Sequence, residues 1–182
     1  MIEISYLQIF LAISIIWVVI RAICRVRAGW FDVKRELQLL LVYICIVVVV
    51  RFTFFPFGKV NGRIQSLLFD TGKIFPLWLN FKPFIYLFDY PAVKDALLNL
   101  VGNIAMFIPL GVVWPAVFKR LNTHAKVIAA GVGVSLTIEV LQLPFFGRAT
   151  DIDDLILNSL GFLVGYGIYL LVKKIGRKQN AD

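Results

Sequence analysis

The sequence predicts an all-α membrane protein with five transmembrane helices, and three observations carry that reading. Hydrophobic residues fill 60% of the 182 positions and charged residues only 16%, too few to clothe a soluble domain of this size. Five uncharged runs recur along the chain: Ile4 to Ile20, Leu37 to Val50, Ala96 to Phe118, Val127 to Ile138 and Leu155 to Val172. Basic residues, finally, divide unequally between the two sets of connectors that five spans create.

Each run is measured against the bilayer. A spanning helix needs about 20 mostly apolar residues. The second and fourth runs reach that length only by absorbing Arg51 and Glu139. The first is read as a retained helix, because the acidic "MIEIS" before it and "RAICRVRAG" after it lack the pattern of a cleaved signal. Cys24 and Cys45 form neither a metal spacing nor a disulfide pair and are read as packing residues.

The net charge of +8 sets the orientation. The first connector, Arg21 to Glu36, carries five basic residues; the connector after the third helix and the C-terminal tail add Lys119, Arg120, Lys126, Lys173, Lys174, Arg177 and Lys178. All twelve fall on one side of the five-helix arrangement, against six on the other. Basic connectors stay in the cytoplasm, so the N-terminus is expected outside and the C-terminus inside. Such charge reads as orientation and contact with anionic lipid, and it excludes a nucleic-acid partner.

The chain divides into residues 1–36, the first helix and its basic loop; 37–172, a helical membrane domain; and 173–182, a basic cytoplasmic tail. The connector from Gly58 to Asp95 faces outward. It starts with "NGRIQSLLFDTGK", a polar stretch that could be helical, and becomes dense in aromatics: Phe75, Trp78, Phe81, Phe84, Tyr86, Phe88 and Tyr90. Aromatic rings favour the headgroup zone, so this part is expected to lie on the outer leaflet. The sharper alternative is a lid over a site, with Asn80 and Lys82 directed into it. The fourth helix is expected to be capped by Asn122 or Thr123, and the fifth by Thr150 with Asp153 at the capping-box position.

Polar residues interrupt the apolar spans at one depth. Arg51 precedes Pro56 by five residues, about 8 Å below the outer end, and Glu139 lies eight residues short of Gly147, about 12 Å deep. Asn99 and Asn103 fall in the outer half of the third helix, Asp154 and Asn158 in that of the fifth. Helical phase agrees: Ser135, Glu139 and Gln142 share a face, as do Asp151, Asp154, Asn158, Gly161 and Gly165. An ionisable group near the middle of a span costs roughly 2.5 to 3.5 kcal/mol on insertion scales. Such groups persist when they pair or line a wet cavity. The bland alternative is an ion-pair network of Arg51 and Arg148 with Glu139, Asp151 and Asp154 that only sets helix register.

Four motifs carry a resemblance. "NFKPF" at Asn80 to Phe84, "NIAMFIPLG" at Asn103 to Gly111, "IEVLQ" at Ile138 to Gln142 and "GRATDIDDLILNSLGFLVG" at Gly147 to Gly165 resemble the VanZ-like membrane family. The resemblance covers the chain from about Arg51 onward. It implies a multi-pass protein of the bacterial cytoplasmic membrane, and a connection with resistance to the glycopeptide teicoplanin.

From these residues the favoured function is a non-enzymatic outer-leaflet site formed by Arg51, Asn80, Asn99, Asn103, Glu139, Gln142, Arg148, Asp151, Asp154 and Asn158. Its expected ligands are a membrane lipid, a lipid-linked envelope precursor or a lipoglycopeptide; guanidinium groups suit phosphate or carboxylate, and amides suit hydroxyls. No cofactor or resident metal is expected. The alternative is an enzyme on envelope lipids using Glu139, Asp151 and Asp154 as acid, base or oxygen ligands. The sequence offers no phosphatase-like histidine pattern, phosphate loop or zinc motif for it; Ser135 has no partner base other than Glu139 on its own face, and His124, the one histidine, is expected in a solvated cytoplasmic loop. Transport by Glu139 against Arg51 is a third possibility, poorly matched to five helices without repeats.

Overall fold

A computed structural model describes residues 1–29, 32–55, 59–60, 62–73, 79–80, 93–146 and 150–179. Five long helices dominate: α1 (Tyr6–Ala28), α2 (Val33–Phe54), α3 (Val93–Val117), α4 (His124–Gln142) and α5 (Ile152–Gln179). All five are long and apolar enough to cross a membrane.

The helices run past the uncharged segments, and local chemistry sets where they stop. The Ser5 hydroxyl and the Gln8 side chain exchange hydrogen bonds with backbone amides to start α1. Gly29 ends it in the left-handed region at φ 68°, where a side chain would be strained. Asp32 caps α2 by accepting from the Arg35 N–H. Thr123 does the same for α4 through the Lys126 N–H. The expected connector of residues 21–36 therefore shrinks to the residues between Ala28 and Val33, because charge is tolerated in a helix once it leaves the hydrocarbon. Arg21 and Glu36 instead form an ion pair between α1 and α2.

The helices pack very unequally. The α3–α5 interface is the most extensive, followed by α4–α5 and α2–α3. Its cause is glycine. A Cβ at Gly161 would sit 2.1 Å from the Ile104 carbonyl oxygen, one at Gly165 2.1 Å from that of Ile108, and one at Gly111 2.1 Å from that of Phe162. Backbone thus lies on backbone, as membrane helices require when hydrophobicity alone cannot drive association. Phe107, Leu110 and Phe162 fill the core along this seam at 0%, 1% and 1% exposure. By contrast, α1 buries no residue.

Short strands close the end that loop charge assigns to the outside. They are β1 (Ile2–Ile4), β2 (Lys59–Val60), β3 (Arg63–Ile64), β4 (Leu67–Phe69), β5 (Leu79–Asn80) and β6 (Thr150–Asp151). β1 pairs antiparallel with β4, Ile4 opposite Leu67. β2 and β3 form a hairpin, with Gly62 at φ 74° in its turn. The expectation of a helix in "NGRIQSLLFDTGK" is corrected: past Gly62 this stretch forms β3, β4 and a 3₁₀ turn, Thr71–Lys73. β4 supplies the edge that the N-terminal strand needs, and that pairing outweighs local helix propensity. The same strand reaches the α4–α5 connector, where the Phe146 N–H donates to the Leu68 carbonyl and the Asp70 N–H to that of Pro144.

Candidate functional site

Beneath this strand cap the polar residues of α2, α3, α4 and α5 come together in three linked groups. The first centres on Glu139, 1% exposed in the last turn of α4. Its Oε2 accepts from the Asp151 backbone N–H at 3.1 Å, while its own carbonyl accepts from the Thr150 hydroxyl at 3.0 Å. A carboxylate so desolvated is stabilised by backbone N–H donors aimed at it.

Asp151 relays the first group to the outer connector. β5 lies parallel to β6 with Asn80 opposite Asp151. The Asn80 amide donates to Asp151 Oδ1 at 3.1 Å, and the same oxygen accepts from the Asp153 N–H at 3.0 Å. Asp151 therefore caps α5, a correction to the expectation that Thr150 does so. Thr150 is drawn away by the Glu139 carbonyl, leaving the next residue to satisfy the orphan amide. At Leu79–Asn80 the outer connector is tied down over Glu139. Lys82 and the aromatics from Phe75 to Tyr90 lie outside the described residues.

In the second group, the Asn103 amide on α3 donates to the Asp154 carboxylate on α5, and to Asn99 Oδ1 one turn above at 3.3 Å. The glycine seam makes this possible, since Gly161 meets the backbone of Ile104, the residue after Asn103. The third group joins α4 to α2: the Gln142 amide donates to the Thr53 carbonyl at 2.6 Å, and the Thr53 hydroxyl donates to that of Val49.

Deeper in the bundle, one helical turn from Glu139 and Asp154, lie Ser135 and Asn158, 0% and 1% exposed. Ser135 Oγ and Asn158 Oδ1 have no hydrogen-bond partner among the described residues. Buried polar atoms in native structures nearly always have one. These two therefore hold hydrogen-bonding capacity in reserve.

Arg51 lies in the last turn of α2, which ends at Phe54. Its guanidinium donates to the Phe55 carbonyl at 3.2 Å and faces the rings of Tyr6, at 5.7 Å, and Phe52, at 5.2 Å. Arg148 lies outside the described residues. Sequence reasoning missed Thr53 and the bond from Thr150 to Glu139, both of which depend on backbone carbonyls that no side-chain pattern announces. It also missed the partner of His124: this exposed first residue of α4 bonds through Nδ1 to the Tyr166 hydroxyl at 2.8 Å, a correction to a simply solvated loop residue. Among the described residues, no group of three or more His, Cys, Asp and Glu is placed to hold a metal ion.

Fold and site together define a polytopic membrane protein with five candidate spans and a desolvated polar cluster under one end. The VanZ/LLP1 family profile matches residues 40–173, and the chain belongs to that family. It is also similar to Protein VanZ of Enterococcus faecium, 34% identical over 84 residues, which is 46% of this chain and 52% of that protein. The chain thus spans about half the length of this curated relative. No solved structure matches.

Proposed function

We propose that the polar cluster is a binding site of the outer leaflet for an envelope lipid, a lipid-linked precursor or a lipoglycopeptide. The site acts from the bacterial cytoplasmic membrane and through its ligand affects susceptibility to teicoplanin-type glycopeptides. The observation that carries the reading is Glu139: a carboxylate 1% exposed at the mouth of the bundle, held by the Asp151 amide beneath the Asn80 strand. An ionisable group inside a membrane is costly unless it has work to do. Arg51, at the rim among aromatic rings, suits a phosphate or carboxylate. Ser135 and Asn158 supply the spare polar atoms that a hydroxyl or amide of a ligand would engage.

Binding without turnover is favoured over an enzyme on envelope lipids, since all three proposed catalytic carboxylates already accept hydrogen bonds within the fold, Glu139 from the Asp151 amide. Asp151 caps α5, and Asp154 accepts from Asn103. The test uses Glu139→Gln and Arg51→Ala proteins made at normal levels. Both are expected to lose co-purifying lipid and to shift glycopeptide susceptibility; unchanged lipid and susceptibility would sink the proposal. Mass spectrometry of extracted lipids from null and overexpressing cells separates the two classes. A new lipid species that depends on Glu139 would convert the site to an enzyme.

A further inference from the structure

A second, differently built site lies at the opposite end. Where α2 begins and α3 ends, the two helices enclose an open pocket of about 830 Å³. Lys34, Arg35, Lys119 and Arg120 line it, four cations against the single carboxylate of Asp32. That carboxylate is committed to capping the Arg35 N–H. Arg35 is pinned in turn, its guanidinium donating to the Val117 carbonyl at 2.6 Å across the α2–α3 interface. Lys34, Lys119 and Arg120 are exposed and form no ion pair among the described residues. The inner wall is Ala116, Val117 and Phe118, continuous with the apolar contact of Leu39, Val42 and Trp17.

We propose that this pocket seats the phosphate-bearing headgroup of an anionic phospholipid of the cytoplasmic leaflet. The pocket lies at the ends of two candidate membrane spans. Its cations converge from α2, which carries Lys34 and Arg35, and from the turn just past α3, which carries Lys119 and Arg120; its apolar wall runs on into the span, so acyl chains can follow the surface of α2 and α3. Basic pockets between membrane helices on the cytoplasmic side take such headgroups, and each cation near the surface contributes favourably. Charge that serves only orientation needs no enclosure. The C-terminal tail is the contrast: Lys173, Lys174, Arg177 and Lys178 line a shallow recess of about 400 Å³ built from α5 alone.

The test measures retention of phosphatidylglycerol by the full chain in phosphatidylcholine mixed micelles, read by native mass spectrometry. The triple variant Lys34→Gln, Lys119→Gln, Arg120→Gln is expected to weaken retention at least ~10-fold, and the tail variant Lys174→Gln, Arg177→Gln, Lys178→Gln by less than ~2-fold. The single variant Arg120→Gln should fall between, guarding against a triple variant that misassembles. Equal losses in pocket and tail variants, no loss in the pocket variants, or equal retention of phosphatidylcholine would overturn the proposal. Glycerol 3-phosphate at millimolar excess should leave the lipid bound; displacement would reassign the pocket to a soluble phosphate.

Discussion

The α3–α5 pair and the α1–α2 pair solve the same problem in opposite ways. Both hold two helices together in lipid, where apolar surface gives no net reason to associate. Between α3 and α5 three glycines bring backbone against backbone, and the site residues Asn103 and Asp154 meet within that contact. Between α1 and α2 side chains make the contact: Ser14 meets Tyr43 at 2.6 Å, Trp17 lies against the Tyr43 ring and the Leu39–Val42 cluster, and Arg21 pairs with Glu36. The difference teaches where rigidity is needed. The helices that carry Asn103 and Asp154 are locked in rotation, while α1, which carries no cluster residue, is held through side chains.

The largest effect expected of breaking this contrast is at the glycines. Gly161→Ala or Gly165→Ala places a methyl 2.1 Å from a carbonyl oxygen, which the seam can admit only by separating. Overpacking of this kind should destabilise by about 2 to 3 kcal/mol. Gly133→Ala and Gly167→Ala, which face open space, should change stability by less than about 0.5 kcal/mol. Reversible unfolding in mixed micelles reads both, and equal effects at the two sets would dissolve the distinction between seam and surface.

A smaller effect is expected for the hydrogen bond that the seam positions. A double-mutant cycle of Asn103→Ala with Asp154→Ala should give a coupling of about 1 kcal/mol, the range of polar contacts between membrane helices. Gly161→Ala should abolish most of that coupling, because it displaces α3 from α5. Coupling that survives the glycine change would mean the two side chains find each other without the close approach.

The smallest effects belong to α1. Tyr43→Phe removes the bond to Ser14 and should lower stability by about 0.5 kcal/mol. Arg21→Gln, at a partly exposed ion pair, should do no more than that, and less at high salt. A loss above about 2 kcal/mol in the same unfolding assay would place α1 among the tightly held helices after all.

Much of this was legible in the residues because membranes make strict demands. Five spans followed from uncharged length, and the face shared by Ser135, Glu139 and Gln142 followed from helical phase; all three are buried. Gly161 and Gly165 fell on one face of the fifth helix by their spacing, but the approach of Gly111 to the Phe162 carbonyl came only from the packing of α3 on α5. The cap of α5 was misread for the same kind of reason. Thr150 and Asp151 are both competent caps, and only the Glu139 carbonyl on α4 decided between them.

What the residues determined unaided was thus the set of helices and their buried faces. Those properties depend on one chain segment against a uniform solvent, the bilayer, and periodicity records them. The tertiary structure alone decided which polar atom meets which. Asn80 crosses to Asp151, Gln142 finds the carbonyl of Thr53, and the N-terminal strand pairs with β4. Each contact joins groups far apart in sequence, often through backbone atoms that every residue possesses, so no side-chain pattern could single it out.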